Sequence, residues 1–404
     1  MVNIDLHNSL LILLKQNRII MIGFNPYNQS IANRRYTSMV NTNMLTMPLQ
    51  SLNTFTTITT TNNFNAQCKK YIETLGELTR RYNEKVRAKV ASDPNYRGSR
   101  SKGVKLAWRY EQADVEMGGK GSANWDKEQR QEIKETGTVR GAEGHHQRNV
   151  ADHPEDQADP DNIKFYKSKQ EHLEKGHQGN WQNESDAPKT NKEEMLKNTN
   201  RKRVIKNELK GAGIAAVIGF ATGASIGFIV TIAQNGISPE ALKEAAINGG
   251  KAGLEGAAFG LVNHVAVRFV GEIATNSMTG LLANWGVQIT ENITKACNMC
   301  VVGSIAIVTF SIYQFVRLKI NGCGTLDALV QVGKQALVSI GSLAVTVLVQ
   351  ACWGGPAALA VSVGIGAIML SNSMYKMYHD KKLMTKIQNY IIEKSYPSFI
   401  ECRI

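Results

Sequence analysis

Cysteine is scarce in this chain: six in 404 residues, with none between Lys69 and Ala296. So sparse a set excludes a disulfide scaffold, and any site in that interval cannot use a cysteine-held structural zinc. Cys297-Asn298-Met299-Cys300 has CxxC spacing, yet no second pair or strand context accompanies it, and it reads as an incidental pair in an apolar helix. A secretion signal is also lacking. The apolar run Leu10–Leu14 is cut short by Lys15 and Arg18, which points to a cytoplasmic start. Acidic residues are in deficit, 34 Asp and Glu against 47 Lys and Arg, for a net charge of +13. That excess favours a polyanionic partner, nucleic acid or anionic lipid, beside the plainer reading of solubility.

The composition divides the chain. Residues 1–65 are rich in Asn, Thr and Met, and Thr54–Asn63 reads as low-complexity, poorly ordered chain. Met39, Met44 and Met47 fall in this segment, so translation could begin later than Met1. Residues 66–190 form a polar, histidine-rich unit. Within it, Tyr71–Val90 reads as a helix with Ile72, Leu75, Leu78 and Tyr82 on one face, broken by Pro94 and Gly98. Residues 191–210, containing Arg201-Lys202-Arg203, read as a basic linker or a basic helix leading onward. Residues 211–375 are dominated by Gly, Ala, Val, Ile and Leu, and 376–404 form a basic amphipathic tail with Lys376, Lys381, Lys382 and Lys386.

The histidine-rich block holds the chemistry-bearing residues. Thr138-Val139-Arg140 reads as a short strand leading to His145-His146, and Asp159–Asn162 as a turn. Ile163–Tyr166 reads as a second strand, and Ser168–Glu171 as a capping pattern that opens a helix. His172 sits in that helix and His177 follows Gly176, a helix-ending residue. Histidines on a strand and on a helix around one point suit a metal centre with a neighbouring base of near-neutral pKa. The bland alternative is a small α/β module whose histidines are merely satisfied polar groups.

The ordered set Trp108–Glu111, Gly118–Ser122, Gly137–His146, Asn149–Ala151, Asp159–Ile163, Glu171–Leu173 and His177–Trp181 resembles the GHH-type HNH nucleases found in bacterial toxin domains. The resemblance covers roughly 108–185, about a fifth of the chain. It implies a ββα-metal fold and metal-dependent endonuclease activity on DNA. It implies His146 as general base, Asn162 as the residue that orders the loop, and His145, His172 and His177 as ligands of one divalent ion (Mg, Mn, Zn or Ni). Residues five apart do not share an α-helical face, so His172 and His177 can both bind only if the helix ends between them; if one binds, His177 is favoured. Glu143, Arg148 and Arg109 are candidates to support the metal or the phosphate, and His153 reads as a surface histidine. Arg80, Arg81, Arg97, Arg100, Lys102, Lys105 and Arg109 could line the approach to a phosphate backbone. No element suggests base-specific readout, so low sequence specificity is expected.

Beyond Lys210, the stretches 211–239, 296–316 and 335–375 carry no charge, and each is long enough for a bilayer span, the last for two with a turn at Trp353–Pro356. Lys243, Glu244, Lys251, Glu255, Arg268 and Glu272 argue against a simple span over 241–271. Gly219, Gly223 and Gly227, with the pairs Gly249/Gly253 and Gly256/Gly260, place flat strips on helix faces, an association motif through which copies could oligomerise. Glu244–Leu254 resembles Asp327–Leu337, each after an Asn-Gly, which suggests two related helical hairpins.

The expected architecture is an α+β ββα-metal nuclease domain followed by a mainly α-helical, Gly/Ala-rich hydrophobic domain. The expected partners are DNA, a membrane, and an immunity or regulatory protein, in the bacterial cytoplasm or at the inner membrane with the nuclease facing inward. Toxins of this family commonly carry the nuclease at the end of a long delivery protein. Here it precedes an apolar region, which suits an intracellular effector. Two alternatives stay open: a membrane-active or pore-forming protein with a degenerate nuclease-like block, and a soluble toxin with a helical partner-binding domain.

Overall fold

The computed structural model of the chain describes residues 26–180 and 188–401, so the Leu10–Leu14 run and Trp181 lie outside it. Two compact units emerge. One is Thr57–Lys210; the other joins the described residues up to Thr56 to the described residues from Gly211 onward.

The Thr57–Lys210 unit is built on three helices: the later part of α1 (Pro26–Ser92), α2 (Arg100–Glu116) and α3 (Lys127–Thr136). Asp126 caps α3 with a reciprocal Gln129 box, and Gly137 closes it in the left-handed conformation. That closure and the turn at Gly141 delay the first strand. β1 is Glu143–His146, and 138–140 is not strand as expected. β1 pairs antiparallel with β2 (Ile163–Tyr166), setting Glu143 opposite Tyr166 and His146 opposite Ile163. A short α4 (Lys169–Glu171), capped by the Ser168 hydroxyl, runs into a single π turn at His172–Gly176.

Helix α2 lies between two cores. One face, with Ala107, Trp108 and Val115, packs on Trp125, Ile133, Val139, Ile163 and Phe165, and the Trp108 and Phe165 rings stand 4.0 Å apart. The other face, with Leu106, Tyr110 and Ala113, packs on Cys68, Leu75 and Leu196. Leu196 belongs to α5 (Lys192–Asn235). The segment 192–210, read as a basic linker or a basic helix leading onward, is the first part of a helix that completes this unit's core. Lys192 is buried with it, 3.3 Å from the equally buried Glu111 of α2. The expectation of disorder over Thr54–Asn63 is likewise overturned, since these residues are helical within α1. Thr57 and Thr61 are buried, and Asn207 donates to the Thr57 carbonyl and the Thr61 hydroxyl, so the threonines satisfy a helix–helix contact.

The second unit comprises Leu49–Thr56 of α1, α5 from Gly211, α6 (Pro239–Asn284), α7 (Glu291–Ile320), α8 (Thr325–Trp353) and α9 (Gly355–Glu401). Turns with Gly236 and Gly322 in the left-handed conformation join α5 to α6 and α7 to α8, matching the paired Asn-Gly signals. Among the described residues, five helices are long and apolar enough to cross a membrane, judged by length and composition. α6 is one of them, although its charged residues argued otherwise. Only 17–33% of each apolar window is buried. Ile320, Phe269, Trp285 and Trp353 are each more than 70% exposed, while Asn263, Asn298, Gln314, Thr346 and Gln350 are buried. The glycine strips are spent inside the chain. A Cβ at Gly219 would stand 2.1 Å from the Gly256 carbonyl oxygen, and one at Gly223 would stand 2.2 Å from that of Ala252. These strips therefore close α5 on α6, and they are not free surfaces for oligomerisation.

Candidate metal and nuclease site

The sheet and the π turn bring three histidines together. His145 comes from β1, His172 opens the π turn, and His177 ends it with its N–H on the His172 carbonyl at 3.1 Å. An i→i+5 turn places residues five apart one above the other, which an α-helix cannot do. The His172 and His177 rings thus lie 4.6 Å apart, and both approach His145. Gly176 makes this closure feasible, because a Cβ there would stand 2.9 Å from the His172 ring and 3.3 Å from His145 Nδ1.

One ligand-capable nitrogen from each of the three histidines lies within 4.8 Å of the others. His145 Nδ1 faces His172 Nε2 at 3.1 Å, and His172 Nδ1 donates to the Glu143 carboxylate at 2.6 Å. His145 Nε2 and His177 Nδ1 are buried without a hydrogen-bond partner among the described residues. Such orphaned nitrogens are costly in a folded protein. They fit a divalent ion, since neutral imidazole is a common ligand for such metals. Burial and the neighbouring histidines push His145 down to about 4, and burial also lowers His177. Both rings are therefore neutral at neutral pH, the form that binds metal.

His146 lines the same small cleft, of about 60 Å³, with Arg100, Asn149, His145, His172 and His177. Its Nε2 donates to the Gln157 carbonyl at 3.0 Å, which leaves Nδ1 as the lone-pair nitrogen. Burial lowers its pKa, against the opposing hydrogen bond, and Arg100 lowers it further.

Asn162 is fully buried and orders the loop between the strands. Its Oδ1 accepts from Arg148 N at 2.7 Å, and its Nδ2 donates to the Arg148 carbonyl at 3.0 Å and to that of Asp156 at 3.5 Å. Asp156 precedes Gln157, whose carbonyl holds His146. Gln157 is a neighbour of the cleft that the sequence did not single out. Its buried side chain ties the loop to Ser99 N and to the Tyr96 carbonyl, at 2.7 and 2.9 Å. A lone Gln carries no motif signal, so only the fold reveals it.

The other candidates separate. Glu143 accepts from His172 and does not itself line the cleft. Arg148 does not reach the cleft: Asp156 holds its guanidinium at 2.9 Å beside His153 Nδ1 at 3.0 Å. Arg109 points to solvent from α2, because Trp108 and Tyr110 take the buried faces, and it does not line the cleft. Arg97 is spent on the Pro94, Tyr96 and Ala151 carbonyls, and Arg80 on Glu77 and Glu84. Arg100 is the basic residue that reaches the site. His153 forms a second group with Glu155 and Asp156, already engaged with Arg148 and Lys189.

Antiparallel strands, an ordered loop and a helical turn that carry histidines to one cleft define a ββα nuclease layout. Residues 95–167 match the family described as GHH-signature-containing HNH/Endo VII superfamily nuclease toxins, so the histidine-rich block is similar to the nuclease-toxin domains of that family. The match spans less than a fifth of the chain and ends before His172 and His177. No curated protein and no solved structure matches the chain.

Proposed function

We propose that the chain is a metal-dependent endonuclease that hydrolyses phosphodiester bonds in DNA with little sequence preference, carried by a membrane-embedded helical unit. The observation that supports it most is the convergence of His145, His172 and His177 on one cleft beside a neutral His146 whose Nδ1 is free to take a proton.

In this reading His145, His172 and His177 hold one divalent ion, which when bound would stabilise negative charge on the phosphate. His146 accepts a proton from the attacking water at Nδ1, while the Gln157 carbonyl keeps the proton on Nε2. Asn162 fixes the loop that presents that carbonyl. Arg100 meets the phosphate, and the exposed Lys102, Lys105 and Arg109 on α2 extend a positive stripe along a nucleic-acid backbone. These contacts read charge rather than bases. A toxin of this class calls for an inhibitory protein in the producing cell, which we include as a partner.

The test is plasmid cleavage by the full chain in detergent, with Mg, Mn, Ni or Zn or with chelator. Cutting is expected with metal and is expected to vanish with chelator and in His146→Ala, which should still bind metal. Cutting that survives both changes, or none by folded, metal-loaded protein, would overturn the reading. For the helical unit, alkaline washing of membranes should leave the chain in the pellet, and release into the supernatant would argue against embedding.

A further inference from the structure

The helical unit contains a cavity of about 410 Å³, in the size range of small-molecule sites. Its walls are mainly apolar: Leu49, Leu52 and Phe55 of α1, Met299 of α7, and Pro356 and Leu359 of α9. Three polar side chains interrupt them. The Ser51 hydroxyl is already satisfied, donating to Asn298 Oδ1 at 3.1 Å. Gln350 is only 2% exposed, and its Nε2 has no hydrogen-bond partner among the described residues. Lys295 is partly buried and, among the described residues, pairs with the largely exposed Glu291.

A buried amide donor without an acceptor is costly in an apolar setting. Here it lines a space large enough to supply one. The complementary molecule has an apolar body and a single oxygen-rich head that accepts from Gln350 and carries negative charge or a strong dipole toward Lys295. Lys295 lies in the first turns of α7, Gln350 in the last turn of α8 and Pro356 in the first turn of α9, so the polar groups gather at helix ends. Exposed Trp353 stands in the same region, and tryptophan favours the level of lipid head groups.

We infer that this cavity binds a long acyl chain with a carboxyl or ester head, its carbonyl oxygen accepting from Gln350 Nε2 and its chain lying against Leu49, Leu52, Phe55, Met299 and Leu359. The site is separate from the histidine cleft, and cleavage assays do not decide it.

The test uses the full chain in lipid nanodiscs and a palmitic acid bearing a terminal diazirine. After irradiation, adducts are mapped by peptide mass spectrometry. Adducts are expected on 49–55, 295–299 and 350–359, and unlabelled palmitate, but not hexadecane, should compete. Leu359→Trp fills the space and should reduce these adducts to background. Gln350→Leu keeps the side-chain size and removes the donor. It should reduce them by about 3- to 10-fold, the worth of one hydrogen bond. Labelling around exposed Phe269 should not change in either variant. A parallel arm carries the same probe on phosphatidylglycerol. Adducts there at the same segments identify the bilayer as the source, and adducts confined to the first arm identify the free acid. Labelling spread over the exposed faces, unchanged in Gln350→Leu, overturns the inference.

Discussion

Replacing Glu143 by Gln tests the proposed metal site through a residue outside the proposed ligand set. The Glu143 carboxylate accepts from His172 Nδ1 at 2.6 Å, which fixes the tautomer and leaves the Nε2 lone pair directed toward His145. A carboxylate behind a histidine ligand also raises the basicity of the ligating nitrogen. Losing such a partner typically weakens metal affinity by about 10- to 100-fold, or roughly 1.4–2.7 kcal/mol. Gln keeps an acceptor oxygen and removes the charge, so the lower half of that range is expected. The assay is competition for Ni or Zn against a chromophoric chelator at neutral pH, with the full chain. His172→Ala should lose more, because it removes the ligand itself. Glu174→Gln, an exposed carboxylate that bonds only Gln170 in the described contacts, should change nothing. An affinity for Glu143→Gln within about twofold of wild type, alongside a large loss in His172→Ala, would refute the orienting role. Unchanged affinity in both would remove His172 from the ligand set.

Three further outcomes are expected of the Thr57–Lys210 unit, followed by urea unfolding. Asn162→Ala strands a backbone N–H and a carbonyl of Arg148 and should cost about 2–4 kcal/mol, with His146-dependent cleavage falling as the loop loosens; stability within error of wild type would deny Asn162 its ordering role. Without metal, the unit should lose stability as pH falls from about 6.5 toward 4. Burial holds folded His145 at about 4, so over that window the unfolded chain binds more protons, and the loss approaches about 3 kcal/mol; a flat profile would contradict the burial argument. Leu196→Ala should destabilise this unit by about 2–5 kcal/mol although the residue lies outside the matched segment, since Leu196 is fully buried against α2 and α1.

Much of the site was legible because its parts are local. The histidine pair, the second strand and the Ser168 cap all fall within residues 143–171, and each carries a side-chain signal. The π turn was not legible. Its only trace is the five-residue interval between His172 and His177, which α-helical periodicity reads as two faces. Gly176, taken as a helix end, is better understood as the space that lets the three rings close. The packing of the first half of α5 was not legible for a related reason. Its polar composition describes the solvent face, while the buried contacts of Leu196 and Lys192 depend on α2, some 80 residues earlier in sequence. Thr54–Asn63 misled in the same way, since threonine is a poor helix former until an opposing asparagine uses its hydroxyl and carbonyl. Arg148 and Arg109 show the limit of charge as a guide: both are basic and near the motif, and neither reaches the cleft.

The helical unit carries its own argument about solvent. In water, Phe269, Trp285, Ile320 and Trp353 would turn inward, and Asn263, Asn298, Gln314 and Gln350 would face out. The observed arrangement is the reverse. An inverted pattern of this kind suits lipid, where apolar side chains cost nothing outside and polar ones gain from partners within the bundle. The glycine strips agree, because close backbone approach between α5 and α6 replaces the hydrophobic drive that lipid does not supply. Three of the charged residues of α6 have ion-pair partners inside the unit: Glu255 meets Arg317 of α7 at 3.5 Å, and Arg268 meets Glu272 one turn on. Charges that counted against a span when read singly are compatible with one when read as pairs, and α6 still offers an apolar window long enough to cross a membrane.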